Sequence, residues 1–222
     1  MILEVKNIEK KFYDPTEFKV LKGISFGVEK GEFLTLVGKS GCGKSTLLYV
    51  LSTMDTSYDG ELSIDGEKVT GYDLDRLALI RNEKIGFVFQ FHYLLAEFTC
   101  LKNVMIPALR LGKYSREEIE HRAMEKLKML GLEDQALKLS SKLSGGQQQR
   151  AAIARALIND PLIIMGDEPT GNLDSKNSRI VFDILQDLAH NKGQTIIAVT
   201  HDNDFAKMSD RTIEMQDGLI VR

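Results

Sequence analysis

The segment Gly38-Lys39-Ser40-Gly41-Cys42-Gly43-Lys44-Ser45 constrains this chain more than any other part of it. It follows the apolar run Phe33–Val37 and precedes the helix-compatible stretch 46–51. Glycines allow successive backbone N–H groups to turn inward toward phosphate oxygens, and the start of a helix adds about half a positive charge. The pattern G-x-x-x-x-G-K-[ST] between a strand and a helix therefore predicts a phosphate-binding loop in an α/β fold.

Two side chains of this loop carry the predicted chemistry. Lys44 supplies a full positive charge to the outer phosphates of a nucleotide, and the hydroxyl of Ser45 is a ligand for Mg²⁺. No separate chemistry is assigned to Cys42. The predicted nucleotide-binding residues of the loop are Gly38, Lys39, Ser40, Gly41, Cys42, Gly43, Lys44, Ser45 and Thr46.

A second apolar run, residues 162–165, is followed by two acids, Asp167 and Glu168. Because ligands collect at the carboxyl ends of strands in an α/β sheet, we expect these acids to share one edge with the phosphate loop. Asp167 is then predicted to hold the Mg²⁺ shell, and Glu168 to orient or deprotonate an attacking water. Taken alone, the segment is equally compatible with two solvated acids at the end of a strand.

The apolar patterns predict an α/β core. Four short apolar runs, at 33–37, 85–89, 162–165 and 195–199, are typical of strands that are buried on both faces in a parallel sheet. Alternating apolar and polar residues at 2–8 and 24–28 predict antiparallel edge strands. Asp217-Gly218 predicts a terminal hairpin. We expect one domain that spans residues 1–222.

The stretch between Gln90 and Ser144 shows helical periodicity and no convincing strand. Ser115 and Glu118 have the spacing of a capping box, and the apolar residues that follow lie on one helical face until Gly131. We interpret approximately residues 91–160 as a helical insertion in the α/β body.

Composition excludes several classes of protein. The chain has 29 basic and 32 acidic residues, a net charge of −3, and 43% hydrophobic residues, which is typical of an ordered globular protein. Such a balance provides no excess of cations for binding nucleic acid by bulk charge. Two cysteines predict no disulfide framework and fit a reducing compartment. No apolar run approaches the ~20 residues of a membrane span, so we expect no direct membrane insertion. Any role at a membrane would therefore depend on a partner that is itself a membrane protein.

The turn at Ser144-Gly145-Gly146 precedes a clear helix. Ser144 has the chemistry of an ordinary N-cap, with the glycines allowing a tight turn. Alternatively, the two glycines leave backbone N–H groups uncovered and form a second anion site, which meets a nucleotide held by another copy of the chain. Helix physics alone leaves both interpretations open.

Residues 143–147 resemble the signature sequence of the ATP-binding cassette (ABC) family, and this resemblance extends over essentially the whole chain. It implies a P-loop NTPase core with a mainly parallel sheet, an N-terminal antiparallel β subdomain and a helical subdomain. It also implies ATP and Mg²⁺ as cofactors, and a head-to-tail homodimer in which each signature segment closes over the ATP of the partner. The signature residues are Leu143, Ser144, Gly145, Gly146 and Gln147.

The same resemblance assigns roles to four single residues. Gln90 matches the Q-loop glutamine, which contacts Mg²⁺ and the γ-phosphate, and Asp174 matches the D-loop at the dimer seam. His201 matches the switch histidine, which acts with Glu168 and Lys44 in catalysis. Tyr13 matches the aromatic residue that stacks on adenine.

Residues 90–104 and 166–174 are similar to the LolD subunits of lipoprotein-releasing transporters and to the wider MacB-type group. This implies a peripheral subunit on the cytoplasmic face of the inner membrane, driving integral membrane subunits in lipoprotein release. A MacB-type or other efflux or mechanotransmission system, a non-transport ABC ATPase and a small P-loop kinase are the alternatives. A regulator that signals through an ABC-like pair would have the same motifs and also stays open. Five apolar residues follow Gln90, and we expect most of them in the core and some in a groove for a cytoplasmic helix of the membrane subunit. They are Phe91, Tyr93, Leu94, Leu95 and Phe98.

Overall fold

The computed structural model describes residues 1–13 and 15–222, which form ten strands and seven α-helices. The strands are β1 (Leu3–Tyr13), β2 (Glu17–Val28), β3 (Phe33–Val37), β4 (Asp59–Ile64), β5 (Glu67–Lys68), β6 (Ile85–Val88), β7 (Ile163–Asp167), β8 (Thr195–Val199), β9 (Arg211–Gln216) and β10 (Leu219–Ile220). The helices are α1 (Lys44–Leu51), α2 (Leu74–Lys84), α3 (Cys100–Leu111), α4 (Arg116–Met129), α5 (Gly145–Leu157), α6 (Ser175–His190) and α7 (Asn203–Ala206).

The larger sheet has the order β10-β9-β3-β8-β7-β6, and its five strands from β9 to β6 are parallel. All four predicted buried strands lie in it, so the predicted parallel core is confirmed. Strand β10 pairs antiparallel with β9 through the predicted hairpin, in which Asp217 and Gly218 both have positive φ angles. This pair of angles is typical of a tight two-residue hairpin turn.

Each central strand contributes to two separate hydrophobic clusters, because neighbouring residues on a strand point to opposite faces. Ile163 and Ile197 pack on the side of α1 and the smaller sheet, whereas Ile164 and Ile196 pack against α3, α5 and α6. Both faces are therefore covered, which explains why these strands are continuous apolar runs.

The smaller sheet is antiparallel, with the order β2-β1-β4-β5. Strands β4 and β5 and helix α2 were not predicted from the sequence. In β4 only Leu62 and Ile64 are buried, so its apolar pattern is too short to identify it as a strand.

The region between Gln90 and Ser144 contains α3 and α4, two short 3₁₀ turns and a single isolated β-bridge among the described residues. The hydroxyl of Ser115 accepts a hydrogen bond from the Glu118 amide at 3.2 Å, which caps the start of α4. Only this half of the predicted capping box is formed among the described residues, since the Glu118 side chain makes no hydrogen bond back to the Ser115 amide. The apolar face of α4 is buried, and the helix stops before Gly131, which has a positive φ of 65°. Helices α3, α4 and α5 pack on one another.

Candidate nucleotide site

The phosphate loop connects β3 to α1 and depends on glycine at two positions. Gly43 is the N-cap of α1 with a φ of 101°, and no side chain of the described residues caps that end of the helix. The first N–H groups of α1 are thus available to an anion. Gly38 has a φ of 148°, and a methyl group there would overlap the carbonyl oxygen of Met215.

Lys44 is buried at the centre of this loop. Its ammonium donates hydrogen bonds to the carbonyl oxygens of Gly38 at 2.8 Å and of Lys39 at 3.0 Å. The buried Cys42 lies beside it, with its sulfur 3.8 Å from the Lys44 Nζ. Gly38, Lys39 and Cys42 therefore shape the loop and hold Lys44.

Ser45 and Asp167 come together as predicted, although they are far apart in sequence. The Ser45 hydroxyl donates to Asp167 Oδ1 at 2.8 Å. The second carboxylate oxygen, Oδ2, accepts a hydrogen bond from the Tyr49 hydroxyl at 3.1 Å. Burial and the neighbouring Asp167 raise the pKa of Tyr49 to about 12, so this hydroxyl remains protonated at neutral pH.

These groups fit a magnesium ion. A hydroxyl and a carboxylate are the hard oxygen donors that Mg²⁺ prefers, and their 2.8 Å spacing is close to that of neighbouring ligands around an ion that binds oxygen at about 2.0–2.1 Å. Within residues 1–13 and 15–222, no cluster of three or more His, Cys, Asp or Glu side chains is suited to hold a metal on its own. The remaining ligands would come from the nucleotide phosphates and water.

Glu168 and His201 form a direct pair at the ends of neighbouring strands. Glu168 Oε1 lies 3.0 Å from His201 Nδ1, and the Glu168 amide donates to the Val199 carbonyl at 3.0 Å. Glu168 has a φ of 45°, which is uncommon for a residue other than glycine. Such backbone strain is frequent at functional sites, and here it turns the carboxylate toward the cleft.

A cleft of about 760 Å³ joins the phosphate loop to this pair. Two aromatic residues, Phe12 and Phe18, form one wall; they pair across β1 and β2 with ring centroids 6.1 Å apart. The lining residues are Phe12, Phe18, Val20, Ser40, Gly41, Gly43, Lys44, Ser45, Thr46, Glu168 and His201. The cleft thus combines an aromatic wall, an anion cradle and a carboxylate with a histidine.

Tyr13 is exposed and is not among the described residues that line the cleft, so its stacking on adenine stays a prediction of the family resemblance. A bulge between Val5 and Ile8, with Asn7 at a φ of 51°, changes which residues of β1 point inward. After this bulge, Ile8 and Lys10 are buried and Phe12 continues the alternation toward the cleft, whereas the next residue, Tyr13, is exposed.

Gln90 lies just beyond β6, close to Glu168 but outside the lining of the cleft. A methyl group on Gly171 would meet both Gln90 Nε2 and Glu168 Oε2 at 3.1 Å, so Gly171 lies between these two side chains. The backbone carbonyl of Gln90 also accepts a hydrogen bond from Asn172 Nδ2 at 3.1 Å. The structure therefore places Gln90 at the rim, and does not join it to Ser45 or Asp167 by a hydrogen bond among the described residues.

The Ser144 turn forms a complete capping box. The hydroxyl of Ser144 accepts from the Gln147 amide at 3.3 Å, and the Gln147 side chain accepts from the Ser144 amide at 2.9 Å. Ser144 and Gly145 are exposed, whereas Gly146 is buried because the Asn177 side chain packs against it. Only part of the predicted second anion site is therefore uncovered.

This turn lies next to the start of α6 and does not line the cleft in the described chain. Asp174 caps α6, and its carboxylate accepts from the Asn177 amide at 2.8 Å. Hydrogen bonds from Asn177 hold the pKa of Asp174 below its usual value. The imidazole of His92, whose pKa is lowered by burial, lies 2.9 Å from the Gly145 carbonyl oxygen.

The family model described as ABC transporter matches residues 21–171. This chain belongs to the ABC transporter family. It is 47% identical over 221 residues to the lipoprotein-releasing system ATP-binding protein LolD of Aquifex aeolicus, which covers 99% of this chain and 96% of that protein. It is also 47% identical to the LolD protein of Porphyromonas gingivalis over 220 residues, covering 99% of each chain.

Solved structures of ABC cassettes have the same fold. The dimeric structure of MJ0796, described as a bacterial ABC transporter cassette, has a TM-score of 0.91 and 42% identity, covering 99% of this chain and 97% of that one. A second dimeric MJ0796 structure, in a post-hydrolysis state bound to ADP and Pi, has the same TM-score and 41% identity. The present chain is, like these cassettes, an ATP-binding and ATP-hydrolysing enzyme, as its sequence predicts.

In the present chain, an apolar segment is exposed after Gln90. Four of its five large apolar residues, Phe91, Tyr93, Leu95 and Phe98, are exposed, and Leu94 alone packs against the core. The expectation that most of these residues are core residues was therefore wrong. Within residues 1–13 and 15–222, none of the helices combines the length and the apolar character that a membrane-spanning helix needs.

Proposed function

We propose that this chain is the ATP-hydrolysing subunit of an ABC transporter that releases lipoproteins, acting on integral membrane subunits from the cytoplasmic face of the inner membrane. The observation that carries the catalytic part is the arrangement of Glu168 and His201 opposite Lys44 and Ser45 in one cleft. The 47% identity to LolD proteins, which extends over nearly the full length of the chain, supports the lipoprotein-releasing part.

The exposed part of the Ser144 turn supports a head-to-tail homodimer. Ser144 and Gly145 are exposed at the start of α5, outside the cleft of their own chain. A helix start of this kind favours an anion. In the proposed dimer it meets the γ-phosphate of ATP held by the partner, so ATP connects the two subunits and hydrolysis removes the connection.

The proposed reaction is in-line hydrolysis of ATP. A water oxygen attacks the γ-phosphorus, Glu168 accepts a proton from that water, and the bond from the γ-phosphorus to the bridging oxygen breaks with its electrons going to ADP. Lys44 and His201 donate hydrogen bonds to the γ-phosphoryl oxygens, where negative charge develops. Ser45 and Asp167 would hold Mg²⁺, which when bound neutralises phosphate charge.

The exposed aromatic segment supports docking of the membrane subunit. Beside it lies a groove whose walls come from α2, β6, α3 and α5 and include Arg81, Phe87 and Arg155. Arg155 donates to the carbonyl oxygens of His92 at 2.8 Å and Tyr93 at 2.7 Å, which joins the groove to the segment. Contiguous exposed apolar residues of this kind mark interaction sites.

Purification of the tagged chain from detergent-solubilised membranes of its source organism tests the proposal. We expect an integral membrane protein to co-purify and, after reconstitution with acylated substrate proteins, to couple ATP hydrolysis to their release. Coupling to the expulsion of a small molecule would instead support the MacB-type alternative. Co-purification with ribosomes or DNA, or phosphate transfer to an acceptor other than water, would contradict a transport role.

A further inference from the structure

One helix holds both oxygens of the Asp167 carboxylate. Ser45 and Tyr49 are four residues apart on α1, so their side chains lie on the same helical face. Ser45 donates to Oδ1 at 2.8 Å and Tyr49 donates to Oδ2 at 3.1 Å. Among the described residues, these are the two side chains that hydrogen-bond to this carboxylate.

The Tyr49 hydroxyl has a defined position because its ring is supported. The ring of Phe87 on β6 lies 6.0 Å from that of Tyr49, and the Phe89 ring lies 4.4 Å beyond, centroid to centroid. Aromatic contacts at these distances are favourable and fix ring orientation. These ring contacts therefore fix the position of the Tyr49 hydroxyl as a hydrogen-bond donor, although part of the side chain remains exposed.

We propose that Tyr49 is a positioning residue for the magnesium site, holding the Asp167 carboxylate in the orientation in which it binds the ion together with Ser45. This inference rests on the proposed nucleotide site. A carboxylate held by a single hydrogen bond can rotate about its Cβ–Cγ bond, whereas two donors on opposite oxygens prevent this rotation. Hydrogen bonds behind a metal-binding group commonly matter for metal affinity almost as much as the group itself.

The test compares Tyr49→Phe with Tyr49→Leu. Phenylalanine keeps the ring and its contact with Phe87 but removes the hydroxyl, whereas leucine removes both. A positioning role predicts that both variants raise the Mg²⁺ concentration for half-maximal binding of a fluorescent ATP analogue, by about tenfold. Affinity for the analogue in EDTA should stay the same in both.

Tyr58→Phe is the matched control, because the Tyr58 hydroxyl is also half-buried and bonded, to Thr70 Oγ1 at 3.0 Å, away from the cleft. We expect its Mg²⁺ dependence to equal that of the unmodified protein. A purely structural role of Tyr49 predicts instead a normal Tyr49→Phe and an impaired Tyr49→Leu, and that result would overturn the inference. So would an equal loss of affinity with and without Mg²⁺.

The two proposals fail in different ways. If the unmodified chain binds no ATP analogue at any Mg²⁺ concentration, the proposed function itself is wrong. If it binds the analogue with Mg²⁺ and Tyr49→Phe behaves identically, only the role of Tyr49 is wrong. Direct Mn²⁺ binding, measured by electron paramagnetic resonance in the presence of the analogue, provides a second readout that does not depend on catalysis.

Discussion

Glu168 Oε1 and His201 Nδ1 lie 3.0 Å apart, and both side chains face the cleft that contains Lys44. The contact links the ends of β7 and β8, so the proposed base and the proposed hydrogen-bond donor to the γ-phosphoryl group are in direct contact. We predict that His201→Ala lowers the rate of ATP hydrolysis by about 10²–10³-fold while ATP binding is retained. Single-turnover hydrolysis and equilibrium binding, measured on the same preparation, check this. Loss of both in parallel would indicate a structural role.

Lys44→Ala should weaken ATP binding by at least about tenfold, because a charge-assisted hydrogen bond to phosphate is lost. The phosphate loop would also lose the ammonium that contacts its carbonyl oxygens. Calorimetric titration with ATP measures the effect, and the exposed Lys30 provides a control as Lys30→Ala. Binding by Lys44→Ala as tight as in the control would exclude this loop as the nucleotide site.

Phe12→Ala should raise the Kd for ATP, since stacking of a base on an aromatic ring contributes about 1–3 kcal/mol. Tyr13→Ala should change it little, because Phe12 and Phe18 line the cleft and Tyr13 does not. Binding of ATP compared with inorganic tripolyphosphate separates the contribution of the base from that of the phosphates. A larger rise in Kd for Tyr13→Ala than for Phe12→Ala would instead support stacking of adenine on Tyr13, as the family resemblance implies.

Glu97→Lys should reduce stimulation of ATP hydrolysis by the reconstituted membrane subunit and leave ATP affinity unchanged. Glu97 is exposed among the aromatic residues proposed as the docking surface, and forms no ion pair among the described residues. The matched control is Glu120→Lys, the same charge reversal at an exposed position of α4. Equal stimulation of both variants would place the docking surface elsewhere.

The sequence predicts those parts of the site that depend on local chemistry. The phosphate loop between β3 and α1 is specified by glycines that need positive φ angles and by Lys44 and Ser45 at fixed spacing. The buried strands are identified by their apolar runs, and the carboxyl end of β7 then brings Asp167 to Ser45. These features follow from short segments and from a general rule about parallel sheets.

The remaining features depend on irregularities and on distant partners. The bulge at Asn7 decides that Phe12 faces the cleft, and a simple period of two does not reveal it. In the sequence Tyr49 is an ordinary residue of α1, because its contact with Asp167 depends on the position of β7 in the folded chain. The exposed aromatic residues after Gln90 look like core residues in the sequence, because composition does not distinguish a core from an uncovered interface.

In the proposed mechanism ATP joins two copies of this chain, and the Glu168→Gln variant provides the sharpest test of this dimer. This variant keeps the size of the side chain but removes the proposed base, so ATP should bind and persist. Sedimentation velocity with Mg²⁺ and ATP should show a dimer for Glu168→Gln, and a monomer without nucleotide or when Lys44→Ala is added. A Glu168→Gln chain that stays monomeric with bound ATP would show that ATP does not join the subunits, and hydrolysis at the unmodified rate would show that Glu168 is not the base.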